Sequence, residues 1–169
     1  HAEPWKVTVV DTGLNTMTGG RIKRIAPYVN NETFMLTYGD GVSDVPMDKV
    51  LAFHKSHGKI CTMTAVKPEG RFGILDLKGD CIASFREKSK QDVGYINGGY
   101  MIVEPEIFKY IAGDETTFER EPLETIANEG QLMAYKYNGF WQCMDTMRDR
   151  QKLEELWDAG KAPWKVWSD

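Results

Sequence analysis

The chain has 169 residues, 41% of them hydrophobic and 27% charged, which is ordinary globular material, and residues 1–169 are read as one domain with a core of its own. With a net charge of −4 no face can be strongly basic without heavy compensation elsewhere, which argues against nucleic acid or an anionic membrane surface as a partner held by bulk electrostatics. Cys61, Cys81 and Cys143 are odd in number and widely spaced, with no CxxC pair, so neither a disulfide framework nor a structural zinc site is indicated; a reducing cytoplasm fits, and no apolar run reaches the length of a membrane span.

In chain order, KVTVVD (Lys6 to Asp11) is β-branched and reads as a strand, and TGLNTMTGG after it is turn chemistry. Arg21 to Val29 places Ile22, Ile25, Ala26 and Val29 on one helical face, and Thr33 to Tyr38 follows as a strand. A second helix is expected from Pro46 to His57, with Gly58 as its stop and Asp44 as the residue placed to cap it. Ile60 to Val66 is a buried-type strand, and this alternation is the pattern of an α/β sheet with parallel members. The middle departs from it. Gly73 to Leu77 and Cys81 to Glu87, joined by Lys78-Gly79-Asp80, read as a hairpin, and Tyr95 to Val103 returns as a strand around Asn97-Gly98-Gly99. Helices are expected at Glu104 to Ala112, Phe118 to Glu129 and Met147 to Ala159, a strand at Leu132 to Tyr137, and an extended piece at Gly139 to Met144. The tail KAPWKVWSD, rich in tryptophan, is expected to pack on a surface.

Two aspartates stand where apolar strands end. In open α/β sheets ligands sit beyond the carboxyl ends of strands, and Asp40, between Gly39 and Gly41, is in that place. A plain glycine turn explains it equally, but with the cap given to Asp44 the Asp40 carboxylate is left over. Asp145 ends GFWQCMD before a helix; Thr146 and Asp149 have capping-box spacing, so Thr146 can start that helix without Asp145. Two spare carboxylates suit magnesium, a hard cation that takes one or two of them together with waters and phosphate oxygens. Thr16-Met17-Thr18-Gly19-Gly20-Arg21 offers hydroxyls, amides and a guanidinium at a helix start, either for phosphate or a base, or as an ordinary capped loop. Arg71-Phe72-Gly73, Glu87-Lys88 and Asn97-Gly98-Gly99 are a scattered polar set able to bind hydroxyl-rich ligands, or a solvated ion pair and a glycine bulge. His54 and His57 are assigned to structure.

Taken together, EPWKVTVVDTG, MTGGRIKRI, TYGDGVSDV, FHKSHGK, RFGIL, INGGY, GFWQCMDTMRD and GKAPWKVW resemble the glucose-1-phosphate cytidylyltransferases, a branch of the sugar-nucleotide pyrophosphorylases. The resemblance covers essentially the whole chain. It implies a Rossmann-like nucleotide-diphospho-sugar transferase fold with a mixed sheet, and a reaction of CTP with α-D-glucose 1-phosphate giving CDP-glucose and pyrophosphate. It implies Mg²⁺ on Asp40 and Asp145, Thr16 and Arg21 at the nucleotide, Gly39 against the ligand, and Gly73, Glu87, Lys88 and Asn97 along the sugar side. Ser89 and Cys143 stand where the family often has proline. No GGxGTRL loop is present, and the chain opens His-Ala-Glu-Pro-Trp, about one third into the family pattern. Both imply a fragment, a truncated gene product or an engineered chain lacking N-terminal strands, whose bared sheet associates into a homo-oligomer or rearranges.

Overall fold

A computed structural model describes residues 4–68, 73–78, 81–87 and 94–167. Eight strands and four α-helices are found among them: α1 (Thr18–Arg24), β1 (Phe34–Thr37), β2 (Gly41–Ser43), α2 (Met47–His57), β3 (Cys61–Val66), β4 (Gly73–Lys78), β5 (Cys81–Glu87), β6 (Ile96–Val103), α3 (Glu121–Asn128), β7 (Leu132–Tyr137), β8 (Trp141–Cys143) and α4 (Met147–Asp158). Four strands form a sheet of order β1-β6-β3-β7, while β2 pairs with β8 and β4 with β5 in two antiparallel ribbons. The sheet is mixed. The amide of Glu104 donates to Ile60 at one end of the β3–β6 pair, whereas Gly98 faces Val66 at the other, so these neighbours run in opposite directions.

Most expected elements are present, and their stops have local causes. Gly58, at φ +61°, ends α2 in the left-handed region that glycine enters at no steric cost, and its amide returns to His54. Thr146 accepts from the Asp149 amide and Asp149 from the Thr146 amide, the reciprocal box expected from their spacing. Three expectations are corrected. Lys6 to Asp11 is no strand: Val7 and Val9 are 77% and 91% exposed, because alternation makes a strand only where an edge pairs with it. The first helix begins at Thr18 and gives way to a 3₁₀ turn, Ala26–Tyr28, at Pro27, whose ring withholds an amide. Glu104 to Ala112 forms a 3₁₀ helix, Pro105–Tyr110, with Ile107 bonding three residues back to Glu104.

The chain divides into two compact units. One comprises His1–Phe34, Lys59–Cys61 and Val103–Met133. Its interior holds Ile107, Ile111, Phe118 and Ile126, essentially without solvent exposure. Here α1 lies directly on backbone. A Cβ on Gly19 would stand 2.7 Å from the Thr116 carbonyl oxygen, and one on Gly20 would stand 2.6 Å from Asp114 Cα. Only glycine permits that approach.

The other unit comprises Met35–Gly58, Thr62–Ile102 and Ala134–Asp169. Val45, Val50 and Ile102 form its apolar centre, with Met47, Leu51, Tyr100, Tyr135 and Tyr137 packed against them. His54 is buried, and its Nδ1 lies 2.8 Å from Thr62 Oγ1, to which His57 Nε2 also comes within 2.7 Å. Both histidines are therefore structural, as expected. The tail packs where anticipated: Trp164 stacks on Phe140 at 5.5 Å and Trp167 approaches Trp157 at 6.5 Å.

Candidate functional site

The two aspartates read from the sequence are brought to one end of one ribbon. In the β2–β8 pair, Gly41 faces Cys143, Val42 faces Gln142 and Ser43 faces Trp141. The pairing continues by one bond beyond the strands, from the Met144 amide to the Asp40 carbonyl at 2.7 Å. Asp40 thus faces Met144, and Asp145 follows one residue further along at the same end of the ribbon. Both side chains are exposed.

The ribbon is tied to β6 from both of its strands. The Tyr100 hydroxyl donates to the Gly41 carbonyl at 2.8 Å, and the Trp141 indole Nε1–H donates to the Gly98 carbonyl at 2.8 Å. Burial raises the Tyr100 phenol above its usual range, so it stays a donor at neutral pH. Neither residue was singled out from sequence, although both lie inside quoted motifs, INGGY and GFWQ. A single aromatic residue has many reasons to be buried, and only the paired geometry reveals the tethers.

Asp44 is not a helix cap. The α2 N-cap position is Pro46, without a side-chain capping bond. The Asp44 carboxylate instead accepts from the Tyr137 hydroxyl and from the Phe140 amide at 2.8 Å, clamping the turn between β7 and β8 to the far end of β2. Burial, followed by the hydrogen bond to Asp44, raises the Tyr137 phenol well above its ordinary value. Asp40 remains spare for a different reason than the one read from sequence: among the described residues no donor reaches its carboxylate. Gly39 and Gly41 have no positive φ, so they are not there to allow unusual torsions. A Cβ at Gly39 would meet nothing within 4 Å, which leaves the approach to Asp40 open.

Asn97 is engaged structurally. Its Oδ1 accepts from the Gly99 amide at 2.8 Å and its Nδ2 donates to Tyr38 Oη at 3.2 Å. Gly99 sits at φ +79° with the Tyr38 ring where a Cβ would be, 2.8 Å away. Gly73 and Glu87 are register partners at the open end of the β4–β5 hairpin. Lys88, like Arg71 and Phe72, lies outside the described residues.

Thr16 and Arg21 belong to the first unit. Thr16 is buried, and Arg21 donates to Thr12 Oγ1 at 2.7 Å and to the Leu14 carbonyl at 3.1 Å, using two of its five N–H donors. Most of the amides that the Thr16 to Arg21 segment offered to an anion are already used. Met17 donates to the Asp114 carbonyl, and Gly19 and Gly20 both donate to the Thr116 carbonyl. With these donors engaged, the start of α1 serves as a packing joint, and the Arg21 guanidinium keeps further N–H donors for a ligand.

As a donor set, Asp40 and Asp145 fit magnesium: two hard oxygen donors, exposed, on a fixed backbone, with room for waters and phosphate oxygens. Among the described residues no cluster of three or more carboxylate, imidazole or thiol groups accompanies them, so a softer cation in an all-protein cage is not what the arrangement favours.

No family model matches the chain. It is 54% identical over 168 residues to the glucose-1-phosphate cytidylyltransferase of Salmonella typhimurium, an alignment covering 99% of this chain and 65% of that protein. This chain is a homologue of the glucose-1-phosphate cytidylyltransferases. It spans 65% of the length of these relatives and aligns with their C-terminal part. The cytidylyltransferase of Salmonella typhi is likewise 54% identical over 168 residues, with the same coverage. More distantly, the mannose-1-phosphate guanylyltransferase catalytic subunit beta of Danio rerio is 34% identical over 148 residues, 78% of this chain and 41% of that protein. Among solved structures, HddC from Yersinia pseudotuberculosis superposes with a TM-score of 0.63 at 24% identity, covering 85% of this chain and 64% of that one. A UDP-glucose pyrophosphorylase complexed with UDP-glucose gives 0.62 at 15% identity, over 88% and 64%. These likenesses show the Rossmann-like α/β fold that the cytidylyltransferase motifs imply. No helix among the described residues is long and apolar enough to cross a membrane.

Proposed function

We propose that this chain carries the metal and sugar side of a cytidylyltransferase reaction. A phosphate oxygen of α-D-glucose 1-phosphate attacks the α-phosphorus of CTP, the bond from that phosphorus to the departing pyrophosphate breaks, and CDP-glucose and pyrophosphate result. The observation that carries this reading is the ribbon that delivers Asp40 and Asp145 to one end, in a chain 54% identical to a protein of that name. Asp40 and Asp145 hold Mg²⁺, which when bound offsets the negative charge of the reacting phosphates. Tyr100 and Trp141 hold the backbone of the ribbon from which the two carboxylates leave. Gly39 leaves space for the ligand, and Asn97, held by Gly99 and Tyr38, presents a fixed amide to the sugar. The assignments of Gly73, Glu87 and Lys88 to the sugar, and of Thr16 and Arg21 to the nucleotide, rest on the resemblance of their motifs.

Pyrophosphate release from CTP, glucose 1-phosphate and Mg²⁺ tests the reading, with Mn²⁺ binding followed by electron paramagnetic resonance on the same proteins. Asp40→Asn and Asp145→Asn are expected to lose turnover and to weaken metal binding measurably without abolishing it. Turnover indifferent to both substitutions would refute the assignment. UTP, GTP and dTTP in the same assay test the choice of base.

A second reading is favoured by the exposed Trp5, Val7, Val9 and Leu14 of the first unit, which suit a non-catalytic module that self-associates through apolar surface. Sedimentation over a range of concentrations separates the two. An oligomer that binds neither Mn²⁺ nor CTP supports the module, and a monomer that binds both removes it.

A further inference from the structure

The Asp145 carboxylate accepts a hydrogen bond from its neighbour two residues back. Cys143 is half-buried at the end of β8 and takes part in no disulfide, and its thiol donates to Asp145 Oδ2 at 3.3 Å. Both sides of Asp145 are anchored. Cys143 is held by its register with Gly41 and by the bond from Gln142 Nε2 to its carbonyl, at 3.0 Å. Thr146 is held by the capping box with Asp149, which also accepts from Gln142 Nε2 at 3.1 Å. Between those anchors the backbone of Asp145 has little freedom, but its exposed side chain keeps its staggered χ1 wells unless something chooses among them. Among the described residues the thiol is the one donor that does. Asp40, across the ribbon, has none.

We propose that Cys143 is a positioning residue: its S–H holds Asp145 Oδ2 and so leaves Oδ1 presented to the divalent cation. The inference rests on the reading of Asp40 and Asp145 as metal ligands and adds the group that orients one of them. A thiol is a weak donor, so the contact selects a rotamer more than it binds tightly. Releasing Asp145 into three wells in place of one costs about threefold in cation affinity, and about tenfold if the S–H contact also lowers the energy of the bound arrangement.

Mn²⁺ titration of the full chain, read by electron paramagnetic resonance, tests this without relying on turnover. Cys143→Ser keeps a donor and is expected to bind within about twofold of the unsubstituted chain, while Cys143→Ala is expected to weaken binding about three- to tenfold. In an Asp145→Asn background, Cys143→Ala should have no further effect. Equal binding by the alanine variant and the unsubstituted chain would overturn the inference, as would equal losses for alanine and serine, or an undiminished alanine effect in the Asp145→Asn background. Failure of the underlying metal reading looks different: Asp40→Asn and Asp145→Asn would then leave Mn²⁺ binding unchanged.

Discussion

Removing the Asp44 carboxylate should loosen the ribbon at the end opposite the two candidate metal ligands. Asp44→Ala takes the acceptor from both the Tyr137 hydroxyl and the Phe140 amide. Hydrogen bonds to a charged group contribute about 1.5–3 kcal/mol each when well formed. Both partners here are only half-buried, which places the pair at the lower end, about 2–4 kcal/mol together. For a chain of this size that is a fall in Tm on the order of 5–15 °C. Urea unfolding followed by tryptophan fluorescence measures it, since Trp141 lies in the ribbon itself. The decisive variant is Asp44→Ser. Serine is a good helix cap, so a capping role would leave stability nearly unchanged; as a clamp it is too short to serve Tyr137 and Phe140 together, and most of the loss should persist. A serine variant as stable as the unsubstituted chain would refute the clamp. So would strict additivity of Asp44→Ala and Tyr137→Phe, since partners in one bond must show coupling.

Glycine positions offer a paired test. Gly98→Ala sets a Cβ 2.9 Å from Val66 Cγ1 and 3.0 Å from the Thr64 carbonyl, and should cost about 1–3 kcal/mol by urea unfolding, whereas Gly39→Ala should cost less than about 0.5 kcal/mol yet weaken CTP binding by calorimetry. Because the folded Tyr137 phenol has a raised pKa, it retains its proton at pH values where the unfolded chain has lost its own. Its contribution is therefore complete below about pH 10 and declines above it, by at most about 1.4 kcal/mol per pH unit, which Tyr137→Phe should flatten in a stability-against-pH series. Burial pushes the Cys61 thiol up to about 12, so iodoacetamide at pH 8 with mass mapping should spare Cys61 in the folded chain and label it once urea unfolds the protein.

What the sequence disclosed was periodicity and stops. The helices ending at Gly58 and Gly130 and the strand Leu132–Tyr137 follow from local pattern, and the Thr146–Asp149 box follows from spacing alone. Pairing was not legible in the same way. KVTVVD has an impeccable strand pattern and forms none, because the pattern reports side-chain preference and not the presence of an edge. Asp44 reads as a cap from its distance to Pro46, yet its true partners lie 93 and 96 positions away, beyond anything local spacing reports. The two candidate metal carboxylates were found for an allied reason: each ends an extended apolar stretch, a local signal, although the bond that brings their strands together is not. The glycine pair of TGGR suits a ligand loop or an ordinary capped loop equally in sequence, and its close contact with the Asp114 and Thr116 backbone is beyond what local spacing reports.

The short β2–β8 ribbon has a kinetic consequence. Asp40 and Asp145 are 105 positions apart (145 − 40), so the arrangement that would hold a cation cannot exist until a loop of that length has closed. Hairpins such as β4–β5 can form within microseconds of their residues becoming available, because their closure entropy is small. A pairing so distant in sequence carries a larger closure entropy than the hairpin does, so the ribbon is expected to form after it. During synthesis Asp40 emerges well before β8, so a ribosome-stalled chain ending before Trp141 would carry Asp40 without its partner strand.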